Sequence, residues 1–260
     1  MTIKRLFLVI FFFCCCLVLT LPAKFVYQWL DPNTDIQLSG INGSLFHGQI
    51  QQVHIPANKN ETIQLENIAW SFNPLKKILN SMPVNLHFND DDLIGTMNLD
   101  ASYPNQISVD ADFHKINLAI INPLLNNFAD IIGKGSLNIH QLSLNNQLIT
   151  ALNGQIIGNN IHLSLAFNQL NIETVSLSAL LNHEQEIVIQ IKDMSSANSF
   201  EINWRIKQQE KFIQLIDSSG YIVANSNLAK QLKDMLPVFA RKQGNRWQIE
   251  YSFANIRIPI

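Results

Sequence analysis

The chain has 260 residues, 47% hydrophobic and only 15% charged, with 18 Lys and Arg against 20 Asp and Glu. No basic stripe with interleaved aromatics occurs, which argues against a nucleic-acid partner. The three cysteines, Cys14, Cys15 and Cys16, are adjacent. The remainder of the chain therefore forms no internal disulfide and no thiolate-held zinc, haem or iron–sulfur centre.

Lys4 and Arg5 precede an uncharged run from Leu6 to Ala23, closed by Lys24 and then by Phe25, Tyr27 and Trp29. A run of this length is at the lower end of what spans a bilayer as a helix. The basic pair places the N-terminus in the cytoplasm, with the aromatics at the far headgroup level. The expected organisation is a cytoplasmic N-terminus over 1–5, a single transmembrane anchor over 6–23 and an exported domain over 24–260. A cleavable signal peptide shares this grammar, but Leu21-Pro22-Ala23 is a poor cleavage site. No cysteine follows the small residue that lipoprotein processing requires.

Beyond residue 35 apolar and polar residues alternate. Strands are expected over Ile36–Leu38, Gln49–Ile55, Ile63–Phe72, Val84–Phe88, Leu93–Ala101 and Ile107–Phe113. More follow over Ser136–Leu144, Leu148–Ile157, Ile161–Phe167, Ile172–Leu181, Ile187–Ile191, Phe200–Ile206, Phe212–Ile216 and Trp247–Phe253. Period-two patterning predicts antiparallel strands with one face on a core and one in water. Breaks are expected at Asp90-Asp91-Asp92, Asn145-Asn146, Gly158-Asn159-Asn160 and Asp217-Ser218-Ser219-Gly220. Three segments carry helical spacing: Pro74–Leu79, Pro123–Ile132 and Leu228–Ala240. The fold class is mainly β: a transmembrane helix, then one curled antiparallel meander with a few short helices capping its ends. Its two halves are expected to meet near Pro123.

Chemistry is sparse. The seven histidines, His47, His54, His87, His114, His140, His162 and His183, fall singly on different strands without ligand spacing. There is no Gly-x-Ser-x-Gly elbow, no phosphate-cradling glycine loop and no calcium-loop spacing around Asp90. No catalytic, cofactor-binding or metal residue is assigned, and an enzyme is not expected.

One block is more specific. Gly40-Ile41-Asn42-Gly43-Ser44-Leu45-Phe46-His47-Gly48 is followed by Trp70-Ser71-Phe72-Asn73-Pro74-Leu75. It resembles type II secretion system protein N, also called general secretion pathway protein N. That family shows Gly-x-x-Gly-Thr-[Leu/Val]-Trp-x-Gly and then a strand with Trp shortly before Pro-x-Leu. Ser44 stands here for the usual Thr and Phe46 for the usual Trp. The motif positions are thus Gly40, Gly43, Ser44, Phe46, Gly48, Trp70 and Pro74, for which core packing is the expected role. The resemblance implies a non-enzymatic, single-pass protein of the bacterial inner membrane with its bulk in the periplasm. Its implied partners are the other inner-membrane components of the machinery that exports folded proteins across the outer membrane. A second reading, from a different class, is a lipid-binding or lipid-transfer protein whose curled sheet presents an AsmA-like apolar trough to a phospholipid.

Overall fold

The computed structural model describes residues 21–27, 35–57, 61–72, 81–102, 106–125, 129–146, 148–165, 168–195, 199–209, 212–252 and 257–259. Most of the expected anchor and the expected helix at Pro74–Leu79 lie outside these residues. Among the described residues no helix is long and apolar enough to cross a membrane.

The alternating segments form one 16-stranded antiparallel sheet. Strands β1 (Gln37–Ser39) and β2 (Asn42–Gly43) share the edge beside β3 (His47–Pro56). Each later strand then pairs with its chain neighbour: β4 (Thr62–Phe72), β5 (Ser81–Asn89), β6 (Leu93–Ser102), β7 (Gln106–Asn117) and β8 (Ala129–Asn145). The meander continues through β9 (Leu148–Leu165), β10 (Asn168–Leu181), β11 (Glu186–Asp193), β12 (Phe200–Gln209) and β13 (Phe212–Val223). At the far edge β14 (Arg241–Gln243) pairs with β15 (Arg246–Ser252), which pairs with β13; β16 (Arg257–Pro259) pairs with the start of β13.

Several expectations are corrected. The segment Pro123–Ile132 is not a helix. A 3-10 turn runs over Leu118–Leu125 with Pro123 inside it, and Ile131 and Ile132 already belong to β8. The side chain of Asn122 stands in for a strand neighbour there. It accepts from the Ile131 N–H at 2.8 Å and donates to the Ile131 carbonyl at 3.1 Å. Leu228–Ala240 is two short helices, α2 (Asn227–Gln231) and α3 (Leu236–Phe239); α1 is Ala23–Tyr27. Pro237 sits in the first turn of α3, where a missing N–H favours a fresh helix start over continuation. Gly158-Asn159-Asn160 does not end a strand. Asn160 takes φ +50° inside a continuous β9, so the extra residue is absorbed as a bulge. Asp217–Gly220 likewise lies within β13.

Strand alternation aligned by register puts most of the apolar residues on one face, with exceptions such as the Leu180–Val188 pair on the other. The apolar face is concave. Strands β9 and β12 are three places apart, yet the Ile149 N–H donates across the hollow to Gln208 Oε1 at 3.2 Å. Two clusters fill the hollow near one end. The first centres on Ile68, Phe88, Ala111, Phe113 and Ile116, with Leu118 and Ile120 of the 3-10 turn laid against it. The second centres on Leu170, Phe200, Ile222 and Ile249, covered by Leu228, Ala229 and Leu236 of the two helices. In an antiparallel meander alternate connections emerge at the same end, which explains why both covers sit there. We call this the capped end and the opposite end the base.

Candidate functional site: the base of the concave face

The base is built around the motif positions. β1 and β2 hold one register against β3, interrupted by Gly40 at φ +66°. The interruption continues across the sheet. The inward face passes from Ile50 to Val53 on β3 and from Leu65 to Ile68 on β4, where Asn67 has φ +52°. Between β2 and β3 the chain reverses over Ser44–His47. The Ser44 N–H donates to the His47 carbonyl at 2.9 Å, and Ser44 Oγ accepts from the Phe46 N–H at 3.3 Å. Gly43 has φ +103°, and a Cβ there would lie 2.5 Å from the Gly48 Cα and from the His47 carbonyl oxygen.

Gly48 is extended, and its need is different. The Trp70 ring and the Asn42 carbonyl oxygen occupy the space a Cβ would take. The indole N–H donates to the Leu45 carbonyl at 3.2 Å. Phe46 stacks on Phe72 with ring centroids 5.9 Å apart. The structure thus brings Gly43, Ser44, Phe46, Gly48 and Trp70 into one cluster, with Gly40 further along the edge; Pro74 lies outside the described residues. The segment arriving from the N-terminal apolar run joins this cluster directly. Pro22 forms a β-bridge with Ser44, and the Leu45 N–H donates to the Leu21 carbonyl at 3.3 Å. Sequence reading did not find that contact, and no pattern in residues 21–22 encodes it.

Above the base the concave face stays apolar. Phe72, Val84, Leu99, Val109, Leu142 and Leu152 are successive register partners, one per strand from β4 to β9. All six are half-buried, whereas Ile68, Phe88 and Phe113, nearer the caps, are buried. At the lower margin Ile107 is 45% exposed. The convex face is polar, with side chains such as Asn98, Asp112, His140, Gln155 and Asn203.

Electrostatics on the sheet serve structure. At the capped end burial raises the Asp193 carboxyl, but hydrogen bonds from Ser199 and Ser195 outweigh it and hold the group below its ordinary value. On the convex face Asp217 hydrogen-bonds the Arg205 guanidinium and raises it further, with Glu186 at 3.7 Å adding a weaker attraction. Six of the seven histidines are exposed and His54 is half-buried. Among the described residues no three His, Cys, Asp or Glu side chains come together. The convex face has a shallow polar cleft between Thr96, Asp110, Asn138 and His140, without a nucleophile–base pair.

A family model for type II secretion system (T2SS), protein N, matches residues 34–249. The chain belongs to this family. The matched span runs from the Gly40–Gly48 hairpin to Ile249 in β15, and so covers nearly the whole sheet. No match was found among curated proteins or solved structures. Family membership makes the chain a structural, non-enzymatic part of the type II secretion machinery and places it in the cell envelope.

Proposed function

We propose that the chain is a single-pass inner-membrane component of this machinery. On this reading residues 1–5 are cytoplasmic, 6–23 span the membrane and 24–260 stand in the periplasm. There the polar convex face meets the other inner-membrane components that export folded proteins. The observation that carries the reading is the junction at the base. Pro22 pairs with Ser44 and Leu21 with Leu45, so the sheet joins the end of the uncharged run through backbone hydrogen bonds. A sheet docked this way keeps a fixed end toward the bilayer. The charge grammar of Lys4 and Arg5 supplies the orientation.

Two measurements test it. A reporter active only outside the cytoplasm, fused after Trp29, is expected to be active; silence overturns the topology. The full chain, purified from membranes in mild detergent, is expected to carry inner-membrane secretion components with it. Their absence, with the chain intact and membrane-bound, overturns the role.

A further inference from the structure

We propose that the lower half of the concave face, which no described element covers, holds the acyl chain of a bilayer phospholipid. The inference rests on the membrane-anchored reading above, and three observations carry it.

The first is chemical continuity. The row Phe72, Val84, Leu99, Val109, Leu142 and Leu152 crosses six strands as direct register partners without a polar interruption. No charged side chain faces the hollow on its lower half among the described residues. The second is asymmetric cover. Among the described elements the 3-10 turn, α2 and α3 lie on the capped end, where Phe113, Ile222 and Leu236 are at most 3% exposed, while at the base only α1 is found, beside the edge strand β2. The row at the lower half is only half-buried. Apolar surface left in water is unfavourable, so the face suits an apolar occupant.

The third observation says which occupant. The open half faces the end where Leu21 and Pro22 join the hairpin, and these residues close an uncharged run beginning at Leu6. On the anchored reading, hydrocarbon lies directly beyond the rim. The dimensions agree. From Ala111 to Ile107 on β7, strand rise of about 3.4 Å per residue gives about 14 Å. One leaflet contributes about 15 Å, half of a 30 Å core. A chain that slides upward from its leaflet leaves one apolar medium for another, so both entry and exit are accessible. A small dedicated headgroup pocket is not required.

The test uses the full chain in nanodiscs containing a phosphatidylethanolamine with a photoactivatable group near the acyl terminus. After irradiation, adducts are mapped by peptide mass spectrometry. The expected result is labelling of the peptides carrying Leu99, Val109 and Leu142, in addition to the run over 6–23. Val109→Asp is expected to lower the trough adduct about tenfold, because an unpaired charge in an apolar site is strongly disfavoured. The adduct on 6–23 stays unchanged. Leu99→Trp, which fills the hollow without charging it, is expected to act the same way, and both variants are compared only at wild-type melting temperature. Labelling confined to 6–23 overturns the proposal while supporting the anchor. Absence of any adduct overturns the anchored reading as well. A lipid-free trough whose peptides crosslink to a second copy, or to the chain's own segment 73–80, assigns the face to that occupant and overturns the proposal.

Discussion

Gly43 and Gly48 sit on facing strands of one hairpin and are required for unlike reasons. At Gly43 the backbone itself is unusual, with φ +103°. Gly43→Val is expected to destabilise the domain by about 2 kcal/mol or more, since strained left-handed positions cost roughly 1–3 kcal/mol for a residue with a Cβ. Chemical denaturation checks it, and unchanged stability contradicts the hairpin geometry. At Gly48 the obstacles are the Trp70 ring and the Asn42 carbonyl oxygen of the facing strand. Gly48→Ala is expected to cost about 2 kcal/mol in the wild type, as overpacking does, and clearly less in a Trp70→Leu background. A double-mutant cycle reads that coupling, and additive effects would show that the ring does not press on Gly48. Asp193 gives a third prediction, this one dependent on pH. Its folded value lies below the ordinary carboxylate, so its stabilisation is fully present above about pH 3.9 and is lost as pH falls through the folded value. Asp193→Asn is therefore expected to cost about 1–2 kcal/mol at pH 7, from hydrogen bonds to a charged acceptor. The difference from wild type should shrink in acid below pH 4. A gap that persists unchanged at pH 2 would rule out the ionised carboxylate as its source.

The elements were legible in proportion to how far local pattern decided them. Alternation alone located β3 through β7, because one buried face imposes a period of two regardless of tertiary partners. It failed where a left-handed Asn allowed the strand to continue. Asn160 and the polar stretch at Asp217–Gly220 look like turns by composition, yet β12 and β15 pair Asp217–Gly220 on both sides, and Asn160 is bypassed as a bulge between the paired Asn159 and Ile161. It failed again at Ile131 and Ile132, whose helical spacing with Leu124 was outweighed by pairing with β9. The Asn122 clamp that delivers them to the strand is a tertiary contact with no sequence signature. Asn122→Ala is expected to cost about 1–2 kcal/mol, the usual range when a paired backbone group loses its partner. Amide exchange at Ile131 should rise well above that of mid-strand residues; protection equal to wild type would contradict the clamp. For the capping helices, Leu236→Ala is expected to cost about 3 kcal/mol, since Leu236 is 1% exposed and its loss leaves a cavity under α3. The motif cluster was legible as a set of residues. Its geometry was not, because the close contact of Trp70 on Gly48 and the docking of Pro22 on Ser44 join residues far apart in the chain.

At the scale of the whole molecule, a single curled sheet whose described covers sit at one end differs from a closed two-layer domain. Its hollow has two ends with unlike environments, and Leu21 and Pro22 join the sheet at the end opposite the described covers. A meander of sequential antiparallel strands builds this shape by adding one hairpin at a time, with short polar turns such as Asn145-Asn146 at the base. The connections that carry the 3-10 turn and the paired helices both emerge at the capped end. This leaves the polar convex face along the whole sheet as the surface available to other proteins of the secretion machinery. Site-specific crosslinking in intact cells tests that claim most directly. A photoreactive residue is placed in turn at Asn98, Gln155 and Asn203 on the convex face, in a chain expressed at its native level. The account predicts adducts with inner-membrane components of the secretion system from at least one of these positions. Stable, membrane-bound chains that give no such adduct from any of them would contradict it.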